Sequence, residues 1–107
     1  MAGRVSVALE RRAGSRLSPE QTPWRPDALL RPGQDVRLVN VGGGGALIES
    51  AARMHPGART ELQLNGPARC VVRGRIERCR VTALDPVLYE GAMVFDHQLD
   101  WAGPGSG

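Results

Sequence analysis

The stretch from Arg69 to Leu84 constrains the fold of this chain more than any other. Cys70, Val72, Gly74 and Ile76 hold one parity of an extended strand, whereas Cys79, Val81 and Ala83 hold the other. Side chains alternate between the two faces of a strand, so a straight strand cannot put both sets on one side. The switch predicts a bulge or bend near Glu77-Arg78, which is how a sheet curves toward closure. Strand patterns flank it. Val36, Leu38 and Val39 lead into Asn40, and Ala46-Leu47-Ile48-Glu49 resumes after four glycines. Leu62 and Leu64 alternate with Glu61 and Gln63, and Asn65-Gly66 is then a strong two-residue hairpin signal. Asp85-Pro86 turns the chain into a final strand, Tyr89 to Phe95. The expected fold is all-β, a small six-stranded antiparallel barrel.

Composition points the same way. Fourteen Gly and eight Pro make about a fifth of the 107 residues, and aromatic residues are few. That mixture favours short strands and tight turns over a helical bundle. The length suits one domain with one core. No apolar run approaches the ~20 residues of a membrane-spanning helix. Val5 to Leu9 is too short for the apolar part of a secretory signal, so a cytoplasmic location is expected. Pro19, Pro23, Pro26 and Pro32 break helices. Residues 1–30 are therefore read as an irregular, flexible arm, 31–100 as the barrel and 101–107 as a disordered tail. Ser18-Pro19-Glu20-Gln21 permits one helical turn, and Trp24 is the expected anchor of the arm on the barrel.

Reactive groups are sparse. Cys70 and Cys79 share one strand, which separates their Cα atoms by roughly 30 Å if it is straight. A disulfide needs about 4.4–6.8 Å, so two free, packing thiols are expected. His55 and His97 have no neighbours spaced as zinc ligands. No Ser or Cys is set beside a His base in motif form, and Asp96 and Asp100 read as solvated acids. Neither an enzyme nor a cofactor is expected.

Two constellations stand out. Arg11-Arg12-Ala13-Gly14-Ser15-Arg16 places three guanidiniums within six residues. It reads either as a solvated basic arm or as an anion clamp, since arginine forks bind phosphate and the guanine edge with charge assistance. All 14 basic residues are arginine and the net charge is +3, which a GC-rich coding bias also explains. The second constellation is Asn40-Val41-Gly42-Gly43-Gly44-Gly45 between two strands. It reads either as a loose hairpin loop or as backbone that must approach something closely. No helix and no Gly-Lys-Ser/Thr follows, so it is neither a triphosphate loop nor a dinucleotide fingerprint.

In order, these two constellations resemble the PilZ family, bacterial receptors for cyclic di-GMP. The family carries Arg-Arg-x-x-x-Arg before its barrel, matched here by Arg11, Arg12 and Arg16. It carries Asp/Asn-x-Ser-x-x-Gly between the first two barrel strands, matched at Asn40 and Gly45, with Gly42 where Ser is usual. Arg31-Pro32-Gly33 resembles the lead into the first strand, His55-Pro56-Gly57 the approach to the third, and Tyr89 to Phe95 the closing strand. The resemblance spans residues 11 to about 100. It implies a cyclic di-GMP site in which the arginines grip guanine edges and phosphates, Asn40 hydrogen-bonds a guanine, and Gly45 lets the loop turn close under the base. Arg11, just before the Arg-x-x-x-Arg stretch, implies an intercalated ligand dimer. The arm would fold over the ligand and change the surface shown to a protein partner. Losing the serine hydroxyl at Gly42 removes a hydrogen bond of about 0.5–1.5 kcal/mol, up to about tenfold in affinity. A PilZ-like domain without nucleotide binding, acting as a protein-interaction module, is the alternative. A nucleic-acid-binding barrel is disfavoured because one Tyr and one Phe leave few rings on which bases can stack.

Overall fold

The computed structural model describes Arg16 to Leu99. A short 3-10 turn at Pro19–Gln21 is followed by six strands: β1 (Asp27–Leu30), β2 (Gln34–Val41), β3 (Gly45–Ser50), β4 (Arg59–Leu64), β5 (Cys70–Leu84) and β6 (Val87–Phe95). They form a closed barrel in the order β1-β2-β3-β6-β5-β4, antiparallel throughout, with β1 pairing both β2 and β4 to complete the ring. The core is the set of inward positions along each strand: Leu38, Val41, Ala46, Ile48, Leu62, Leu64 and Met93 are fully buried. No helix among the described residues is long and apolar enough to cross a membrane.

Bulges set the curvature. The register of β5 against β6 shifts between Ile76 and Arg78, where the parity switch predicts it, and again between Val81 and Ala83. A further shift in β2, between Leu38 and Asn40, lets Leu38 and Val41 both face the core despite an odd spacing. Asn40 thereby pairs with Leu47, while Val41 pairs with buried Ala46.

The boundary expected between arm and barrel needs correction. Asp27–Leu30 is a barrel strand, although its four residues between Pro26 and Pro32 show no legible alternation. Pairing on both sides makes it one, with Ala28 and Leu30 turned into the core. Arg31-Pro32-Gly33 is therefore the β1–β2 turn, closed by a Gly33 N–H bond to the Leu30 carbonyl, and the glycine loop joins the second and third strands. The last strand, β6, lies between β3 and β5 in the ring.

Asn65-Gly66 does not form a two-residue hairpin turn. β4 ends at Leu64 and β5 starts at Cys70, and neither residue takes the positive φ that such a turn requires. The pair holds the incoming chain instead. The Asn65 carbonyl accepts from the Arg25 N–H (2.6 Å), and its Nδ2 donates to the Asp27 carbonyl (3.2 Å). A Cβ on Gly66 would lie 2.5 Å from the Pro23 carbonyl oxygen and 3.2 Å from the Trp24 ring. Trp24 packs against the core from this position. His55-Pro56-Gly57-Ala58 does form a turn: Ala58 N–H bonds the His55 carbonyl, and Gly57 at φ 89° supplies the positive φ of a type II turn.

Register also explains the outer face. Arg37 opposite Glu49, Arg73 opposite Glu61 and Arg80 opposite Glu90 are direct cross-strand partners, and all three form ion pairs. Cys70 and Cys79 are free and half-buried against the core.

Leu62→Ala should lower unfolding free energy by about 2–5 kcal/mol, the range for emptying a closed core position. Glu49→Ala, which breaks one exposed ion pair, should cost less than about 1 kcal/mol. Urea denaturation of both variants measures the contrast.

Candidate functional site

The approach of the arm to the barrel begins with two backbone hydrogen bonds. Leu17 and Val41 exchange N–H···O=C bonds of 2.8 and 2.9 Å as an isolated antiparallel bridge. Just after it, Ser18 is fixed by the 3-10 turn, its N–H donating to the Gln21 side-chain oxygen. The antiparallel register that sets Leu17 opposite Val41 puts Arg16 level with Gly42. Its guanidinium reaches the glycine loop: Nη2 lies 3.2 Å from where a Cβ on Gly45 would stand.

The loop is a tight connection. Gly42 donates its N–H to the Gly45 carbonyl at 2.9 Å, leaving Gly43 and Gly44 as the two connecting residues. Its carbonyls are held from the other side by the end of β6 and the chain after it, Gly44 accepting from Phe95 (2.9 Å) and Gly43 from Leu99 (2.6 Å). The need for glycine is one of space. A Cβ on Gly45 would run into the Met93 carbonyl oxygen, and one on Gly43 would overlap the Gln98 amide. Of the two sequence readings, close backbone approach is the one realised, and the partners are the chain's own Met93, Gln98 and Arg16.

Asn40 stands two residues before this loop, on the opposite sheet face from core-facing Val41. Its Oδ1 is buried and has no hydrogen-bond partner among the described residues. A buried carbonyl oxygen left unpaired costs about 1–3 kcal/mol, so the position is poised to accept a donor. Arg16, Asn40, Gly42 and Gly45, four of the six residues singled out from the sequence, thus gather at one loop. Arg11 and Arg12 lie outside the described residues. The arrangement offers an exposed Arg16, which suits an anion, and the Asn40 amide oxygen, which suits a hydrogen-bond donor, whereas the glycine backbone is already engaged by its own chain. Met93, Gln98 and Leu99 were not legible as loop partners, because they are more than forty residues away in sequence; only the glycines hinted that something packs there. Among the described residues no three His, Cys, Asp or Glu side chains cluster as a metal site.

The fold and site define a closed six-stranded barrel with an arginine-bearing arm bridged to its glycine loop. Compared with known proteins, the chain matches no family model, no curated protein and no solved structure.

Gly45→Ala should destabilise the barrel by about 1–3 kcal/mol, since the obstructing Met93 carbonyl is backbone and cannot swing away. Gly43→Ala should cost clearly less, because the flexible Gln98 side chain can move. Parallel denaturant titrations of the two alanine variants test the order.

Proposed function

We propose that this protein is a cyclic di-GMP receptor of the PilZ type, which signals to a protein partner through its N-terminal arm. The observation that carries this reading is the meeting of Arg16 with the Asn40–Gly45 loop through the Leu17–Val41 bridge. Arg16, 24 residues before Asn40 in sequence, lies at the loop, as a ligand shared by the two motifs would require. The chemistry follows from the groups. The Asn40 amide oxygen accepts from guanine N–H groups, and arginine pairs with guanine O6/N7 and with phosphate. Arg12, from the same motif, supplies the second clamp, and Arg11 favours two stacked ligands over one. Ligand capture would then reorganise the arm before Arg16, altering what a partner meets.

A second reading is favoured by Gly42, which lacks the hydroxyl expected there and whose N–H is already bonded to Gly45. In that reading the barrel has lost nucleotide binding and serves as a protein-interaction module.

Calorimetric titration of cyclic di-GMP into the full chain decides between them, run at several temperatures because binding heat can vanish at one. The expected result is a micromolar or tighter Kd that weakens at least tenfold in Arg12→Ala, since a charge-assisted contact contributes about 1.5–3 kcal/mol. A stoichiometry of two ligands per chain is expected with Arg11 in place. Gly42→Ser should tighten binding by up to about tenfold, since Gly42 does not take the positive φ that would strain a serine. Absence of heat at every temperature selects the interaction module.

A further inference from the structure

Beyond Ile76, β5 has no strand on its outer edge among the described residues, although it stays paired with β6. The last bonds to its outer edge are at that residue, where Ile76 N–H donates to the Ala58 carbonyl and Gly57 N–H to the Ile76 carbonyl. On the other side, β6 first meets β3 at Tyr89. Residues 78–81 still pair with 89–92 of β6, which in turn pair with β3, whereas 83–84 pair only with 87–88, so β5 runs as a sheet edge for about 26 Å from Ile76 to the hairpin tip at Leu84. The tip is Leu84-Asp85-Pro86-Val87. Leu84 is 82% exposed, the most exposed large apolar residue among those described, and Asp85 beside it is exposed too.

At the base of this hairpin lies a cavity of about 250 Å³. Leu30, Met54 and Ile76, all buried, form its floor, and Arg31, Arg53 and Arg59 stand on its rim. No Asp or Glu lines it. Arg31 and Arg59 have carboxylate partners in Glu61 and Asp96, whereas Arg53 has none within ion-pair distance among the described residues. Small-molecule sites typically start near 300 Å³, so this cavity suits one apolar side chain better than a whole ligand. Its basic rim asks for an acid next to that side chain.

We propose that the hairpin tip of one copy docks into this cavity of a second copy, with Leu84 on the apolar floor and Asp85 facing Arg53. The tip is too far along its own hairpin to reach the cavity at that hairpin's base. Two hairpins lying antiparallel solve this, because each then brings its Leu84 to the other's Ile76. The contact is two-fold symmetric and made twice. The same arrangement sets the unpaired outer edges of the two β5 strands side by side, where exposed strand edges readily pair. The proposal is independent of the nucleotide reading, for the cavity and tip contain none of the residues at the glycine loop.

Sedimentation equilibrium of the full chain between micromolar and millimolar concentration tests it. The expected result is a reversible dimer whose Kd rises at least tenfold in Leu84→Ser and in Arg53→Glu. Asp85→Arg should weaken the dimer in the same way, and adding Arg53→Asp to it should restore association. Leu84 and Arg53 are exposed, so circular dichroism and melting of these variants should match the native chain. Larger open assemblies would overturn the two-fold arrangement, because a contact made twice closes on the dimer. A monomer at every concentration, or a dimer indifferent to both substitutions, overturns the proposal.

Discussion

The architecture depends on how closely β6 is gripped by its neighbours. Gly45 on β3 and Gly74 on β5 flank it, and a side chain at either would strike the carbonyl oxygens of Met93 or Val94. A third glycine, Gly91, leaves room on β6 itself for Met54, whose sulfur would otherwise meet a Cβ at 2.6 Å. Glycine within a strand weakens it locally, but it permits the sharp corners by which a short sheet rolls up. With β6 held on both sides, the bulge after Ile76 and the double pairing of β1 complete a ring around one core.

That grip also builds the candidate site. Because Gly45 must clear the Met93 carbonyl, the loop before it is drawn tight, and the chain leaving β6 crosses it with hydrogen bonds from Phe95 and Leu99. The arm enters from the other side at Val41, which is buried as a core residue while its backbone still pairs with Leu17. The glycines thus have a structural role in full view, and the functional reading rests on what they bring together. An exposed Arg16 at Gly45, and an Asn40 amide oxygen with no hydrogen-bond partner among the described residues, are chemistry that the packing of the barrel does not itself require.

The two ends of β5 behave differently. Its first half is a barrel strand with Gly74 and Ile76 turned inward, whereas its second half, past the bulge, carries apolar residues into solvent at Val81 and Leu84. A long hairpin with a free edge invites association, and natural sheets usually blunt such edges with charge or cover them. Here Glu77, Arg78 and Arg80 supply charge near the base, while the tip sets exposed Leu84 and Val87 beside a single acid, Asp85.

Much of the fold was legible in the sequence because the signals involved are local. Alternation of Leu62 and Leu64, the parity switch at Glu77, the turn at His55-Pro56-Gly57 and the break at Asp85-Pro86 each reside within a few residues. They follow from side-chain period and backbone dihedral preference. The Arg11–Arg16 and Asn40–Gly45 motifs were readable for the same reason. What only the tertiary structure decided involves partners far apart in the chain. β1 is a strand because β2 and β4 supply its hydrogen bonds, and Asn65-Gly66 serves the Trp24 segment rather than a tight turn. Arg16 meets Gly45 because Leu17 pairs with Val41. Backbone groups and apolar surface take whichever partner the closed barrel brings near, and no short window of sequence encodes that choice.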